Sequence, residues 1–100
     1  KERVRINISV SYDSDIDHVR QLLYDIAKNS RYACADPEPR VRFREFGDSG
    51  LKFQLLFWIE KPEIRGRSID EVSSIIHKEF KKEKISMPYP QRTIHMKPPE

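Results

Sequence analysis

One hundred residues suffice for a single domain, 1–100, with a modest two-layer core, and 37% hydrophobic against 35% charged residues is polar for a globular chain. Nineteen basic against sixteen acidic residues leave a formal net charge of +3, a balance that compels neither a nucleic-acid nor a membrane partner. The single cysteine, Cys34, excludes an internal disulfide, and no run approaches the ~18 apolar residues of a bilayer-spanning helix. A reducing, cytoplasmic setting is expected. So is a domain cut from a longer protein, because the chain lacks an initiator Met and reads as strand almost at once.

Residues 3–12 alternate, with Val4, Ile6, Ile8, Val10 and Tyr12 on one face and Arg3, Arg5, Asn7, Ser9 and Ser11 on the other, which predicts a half-buried strand. The period then changes. Ser14 and Asp17 have the spacing of a capping box, and Ile16, Val19, Leu22, Leu23, Ile26 and Ala27 come after them at helical spacing, predicting a helix over 14–29. Pro37 and Pro39 make 31–40 an irregular connection. Val41 and Phe43 alternate with Arg40, Arg42 and Arg44 as a second strand, and the parity break at Glu45-Phe46 predicts a bulge or strand end. Gly47-Asp48-Ser49-Gly50 is turn chemistry leading into a third strand.

That third strand is the centre of the chain. Leu51, Phe53, Leu55, Phe57 and Ile59 share one parity and should point into a core; Leu56 and Trp58 point out of the opposite face with Lys52, Gln54 and Glu60. A single domain does not need a Leu and a Trp on its outer face, so this surplus suggests a binding surface. Ser68 and Glu71 form a second capping box, leading into Ile69, Val72, Ile75, Ile76 and Phe80 on a helix to about 83, with Lys78, Lys81 and Lys82 at its end. Pro88-Tyr89-Pro90 forces a kink, and Arg92–Met96 can form a last strand. The order β-α-β-β-α-β predicts an α+β, ferredoxin-like sandwich of four antiparallel strands with two helices on one face.

Chemistry is sparse. Asp13-Ser14-Asp15-Ile16-Asp17 imitates the start of a calcium loop, but His18 stands where Gly is needed and Tyr24 where Glu is needed. His18, His77, His95 and Cys34 lie in four separate elements without paired-ligand spacing, and nothing in the sequence supplies Cys34 with a base. No glycine-rich phosphate loop exists, so no catalytic residue, metal or cofactor is expected. Two other readings compete. An RNA-binding sheet would need outward aromatics on the first and third strands, where only Trp58 qualifies, although Arg3, Arg5, Arg40, Arg42 and Arg44 face outward together. A regulatory domain of the ACT type would usually carry a room-making Gly or an Asn after the first strand, where this chain has Tyr12-Asp13-Ser14-Asp15.

The run Val10-Ser11-Tyr12-Asp13-Ser14-Asp15-Ile16-Asp17 and the ending Ile85-Ser86-Met87-Pro88-Tyr89-Pro90-Gln91-Arg92-Thr93-Ile94-His95 resemble the C-terminal domain of the small-conductance mechanosensitive channel (MscS) family. Pro37-Glu38-Pro39-Arg40-Val41 and the hairpin to Trp58 fall between them in matching order. The resemblance implies a ferredoxin-like cytoplasmic vestibule domain of a cell-membrane channel that releases ions and small osmolytes under tension. Copies would form a ring, commonly of seven, with membrane contact only through segments upstream of Lys1, no nucleic acid, and no catalysis; the fragment alone is expected to be monomeric. In that setting Leu56, Trp58, Pro88, Tyr89 and Pro90 are the candidate subunit contacts, and Arg3, Arg5, Arg40, Arg42 and Arg44 the candidate vestibule charges.

Overall fold

The computed structural model describes residues 1–88. Strand β1 (Glu2–Val10) leads to helix α1 (Ile16–Lys28), then to strands β2 (Arg40–Phe46) and β3 (Leu51–Ile59) and, through a 3-10 turn at Pro62–Ile64, to helix α2 (Arg65–Lys82). The sheet order is β1-β3-β2, with both pairings antiparallel. β1 runs beside β3 over its full length, from Glu2 opposite Ile59 to Val10 opposite Leu51. The expected fourth strand, Arg92–Met96, lies outside the described residues, so the structure shows an antiparallel sheet of three strands and two helices.

One parity of every strand builds the core. Val4, Ile8 and Val10 of β1 and Leu51, Phe53, Leu55, Phe57 and Ile59 of β3 join Val19, Leu23, Ile26 and Ala27 of α1 and Val72, Ile76 and Phe80 of α2 in a single buried cluster. Because all the sheet members point the same way, both helices cover the same face. Complete burial of a side chain the size of Phe53 or Phe57 stabilises the fold by about 2–3 kcal/mol.

Both helix starts differ from expectation. Asp15, not Ser14, caps α1: its carboxylate accepts from the backbone N–H of Asp17 at 3.0 Å and of His18 at 3.4 Å. Ser14 instead lies 3.3 Å, Oγ to Oγ, from Ser11 in the preceding turn. On α2, Ser68 caps nothing. It falls on the row Ser68, Val72, Ile76, Phe80, four residues apart and all buried, and its hydroxyl donates to the Arg65 carbonyl at 2.8 Å. Pro62 starts the 3-10 turn and carries the chain straight into α2 four residues earlier than the box implies. Glu71 is thereby freed to accept from the Arg31 N–H through both carboxylate oxygens at 3.1 Å, tying the loop after α1 to α2.

The end of α2 steers the chain back toward the sheet. Ile85 N–H donates to the Phe80 carbonyl at 2.8 Å and Lys84 N–H to that of Lys81 at 3.2 Å, the paired bonds of a Schellman turn. Lys84 occupies its left-handed position at φ 61°, where Gly is usual, and Ile85 packs on the core that holds Phe80. The returning segment meets β1, where the Ser11 N–H donates to the Ser86 carbonyl at 2.8 Å.

Candidate functional site

The outer face of the sheet is assembled in cross-strand rows. Arg3 lies opposite Trp58; Arg5, Leu56 and Arg40 make the next row; Asn7, Gln54 and Arg42 the third; Ser9, Lys52 and Glu45 the last. The expected bulge is present: the register shifts between Phe43 and Glu45, leaving Arg44 with no residue opposite it on β3. All five arginines are exposed. Among the described residues the ion pairs are Lys52–Glu45 (3.8 Å) and Arg65–Glu2 (2.5 Å), with His18 Nε2 also 3.3 Å from the Glu83 carboxylate, and none of these contacts uses Arg3, Arg5, Arg40, Arg42 or Arg44. These arginines thus take part in no ion pair among the described residues, and the face carries a shallow depression of about 320 Å³ bordered by Asn7, Ser9, Arg44, Lys52 and Gln54.

The two apolar side chains on this face have unequal standing. Leu56 is only 2% exposed although it lies outside the helix-covered core, so it is not the surplus surface its parity suggests. Its row neighbours are Arg5 and Arg40, whose aliphatic stems can lie over a leucine while their guanidinium groups stay in water. Trp58 is half-buried, and its carbonyl accepts from the Cys34 N–H at 2.7 Å, which fastens the proline-rich connection beside the end of β3. Pro88 is half-buried at the other end of the sheet, next to Gly50; Tyr89 and Pro90 lie outside the described residues. The structure thus places Trp58 and Pro88 at opposite ends of β3 rather than in one patch.

Sequence reasoning missed the hairpin end. β1 stops at Val10, so Tyr12 leaves the core parity and is 51% exposed, its hydroxyl donating to the Gly47 carbonyl. Phe46 is 70% exposed and meets Phe43 edge-on at 5.1 Å between ring centres. Met87, on the returning chain, is 42% exposed. The parity break at Glu45-Phe46 is the one sequence signal that could have exposed Phe46.

Among the described residues the two groups with displaced pKa values, Cys34 and Tyr24, are engaged by carboxylates. The Cys34 thiol donates to the Glu60 carboxylate at 3.4 Å; burial pushes its pKa up, and the Glu60 hydrogen bond and charge add to this, which holds the sulfur as thiol rather than nucleophilic thiolate. Tyr24 is also pushed up, first by its hydrogen bond to Glu38 (2.8 Å) and then by burial, and serves to tie α1 to the connection. Among the described residues no group of three His, Cys, Asp or Glu side chains converges as a metal site would require. The RNA-type platform is also missing from strands β1 and β3, since Phe53 and Phe57 are core and Trp58 alone is aromatic on their outer face.

The sequence profile of the family described as mechanosensitive ion channel MscS, C-terminal, matches residues 4–87. The chain belongs to this family. An uncharacterized MscS family protein of Synechocystis sp. is 34% identical over 100 residues, covering 100% of this chain and 33% of that protein. The small-conductance mechanosensitive channel MscMJ of Methanocaldococcus jannaschii is 26% identical over 101 residues, covering 96% of this chain and 28% of the relative. The crystal structure of Helicobacter pylori MscS in its closed state superposes on this MscS C-terminal domain with a TM-score of 0.82 at 20% identity, over 90% of this chain and 36% of the other. The chain thus spans a third or less of these two sequence relatives. The family is one of membrane channels, not of enzymes, and among the described residues no helix is long and apolar enough to cross a membrane.

Proposed function

We propose that this chain is the cytoplasmic vestibule and subunit-assembly domain of a channel that opens under membrane tension and passes ions and small osmolytes. The observation that carries the reading is the family match over residues 4–87 on a fold shared with a solved MscS channel. The pore and tension sensor belong to other parts of such a protein, and this domain contributes shape, charge and subunit contact. Its ferredoxin-like form would need the fourth strand expected at Arg92–Met96, which lies outside the described residues; the Ser11–Ser86 hydrogen bond, which brings the chain back beside β1, supports this reading. Copies associate in a ring, the sevenfold one that the resemblance implies, with Trp58 and the Pro88-Tyr89-Pro90 passage at subunit contacts and Leu56 as their buried support. The five outward arginines bias the vestibule wall toward anions.

Patch recording from membranes carrying the full-length protein tests the channel reading. Currents that appear with suction support it; silence at suctions that open a reference channel in the same patch overturns it. The charge assignment has its own readout: reversing Arg42 and Arg44 to Glu should shift permeability from anions toward cations, and an unchanged reversal potential would leave them as solubilising charge.

A further inference from the structure

The three large apolar side chains most exposed among the described residues, Tyr12, Phe46 and Met87, come from three separate segments that backbone and hydroxyl hydrogen bonds bring together at the hairpin end. The geometry that gathers them is specific. The Tyr12 hydroxyl reaches the Gly47 carbonyl, next in sequence to Phe46. Ser11, beside Tyr12, bonds the Ser86 carbonyl, beside Met87. Gly50 then closes the group: a Cβ there would stand 2.2 Å from the Val10 carbonyl oxygen and 3.0 Å from Pro88 Cγ, so only glycine lets the hairpin, β1 and the returning chain approach so closely. Phe46 has the inward parity of Phe43 yet is left uncovered.

We infer that this hairpin-end patch is covered by a second copy of the same chain, held nearby by the rest of the assembly. The inference rests on the homo-oligomeric reading above. Two observations select a copy over other occupants. The first is area: at their fractional exposures three such side chains offer roughly 300 Å², well short of the ~800 Å² per partner of a stable interface. That is too little to hold a freely diffusing partner, but enough to matter for a copy already held at high effective concentration. The second is charge. Beside the patch stand charges of both signs, Asp13 bonded to Ser11, Asp48 next to Gly47 and Lys52 lying along Gly47, so a copy meets both signs, whereas the arginine-rich outer face would repel itself. The contact is a different surface from Trp58, which lies at the far end of β3, as a closed ring of head-to-tail contacts requires.

The test places the photo-crosslinker p-benzoylphenylalanine at position 46 of the full-length protein, with the exposed helix position 77 as control, and reads native mass before irradiation. The expected result is an oligomer that gives a species of twice the chain mass, all of whose peptides come from this sequence, in several-fold greater yield from position 46 than from 77. An intact oligomer with no doubled species, with equal yield at both positions, or with adducts to lipid or another protein overturns the patch assignment and leaves the assembly reading standing. A monomeric native mass overturns both.

Discussion

Leu55 and Leu56 are neighbours in the chain, equally apolar and almost equally buried, yet they belong to two different environments. Leu55 lies in the cluster roofed by α1 and α2; Leu56 lies outside that cluster, on the open face, between two arginines in register. The first environment is packed by the buried apolar side chains of β1, β3 and both helices. The second has long, exposed arginines as its row neighbours, whose stems can lie over it. The pair shows that burial alone does not measure how firmly a position is held.

Mutation can break or sharpen this contrast. Leu55→Ala should cost about 2–5 kcal/mol in urea unfolding, as truncation in a rigid core does, while Leu56→Ala should cost about 1–2 kcal/mol because flexible stems can close over the gap. Equal losses would mean that the outer face is a second core and would weaken its assignment as a functional surface. Next in size is Gly50→Ala, expected to lose about 1–3 kcal/mol, since the new Cβ would meet the backbone of Val10 at 2.2 Å and something must shift. A thermal scan that left the midpoint unchanged would show the hairpin end to be loosely packed. In the opposite direction, Lys84→Gly should gain about 0.5–1 kcal/mol by relieving the left-handed backbone at φ 61°.

The smallest effect is chemical. Because the Cys34 thiol is held above its ordinary pKa, first by burial and then by Glu60, its alkylation by iodoacetamide should rise at higher pH than for a free thiol. The contribution to stability has the same sign: it is complete below the pH at which the unfolded thiol ionises and is lost as pH climbs through the higher folded value. Glu60→Gln should move the alkylation profile back down, and an unmoved profile would rule out Glu60 as a cause.

Much of this was legible in the chain. Strict alternation fixed the faces of β1 and β3, and the parity break at Glu45-Phe46 located the bulge, because period and turn chemistry are local properties. The misses were decided by competing contacts, some near in sequence and some distant. Ser14 and Asp15 are both able to cap, and the turn through Ser11 chose between them. Ser68 has a capping spacing but also sits on the apolar row of α2, and burial won. The row neighbours of Leu56 are arginines on two other strands, which no pattern within β3 can reveal. Phe46 comes opposite the inward Leu51 only through the bulge and is still 70% exposed, an outcome that the parity break signalled but did not decide. The family was readable from motifs at both ends of the chain.

The full-length register of β1 against β3 has a mechanical consequence. Lys1 adjoins one end of β1 and Pro88 sits by the other, roughly 30 Å away along nine residues of strand. The covalent path back from Pro88 runs through α2 to the far end of β3. A pull between these two points would therefore drag β1 along β3, across hydrogen bonds that lie perpendicular to the load and share it together, rather than unzipping them singly. A domain strung this way transmits force as a stiff strut.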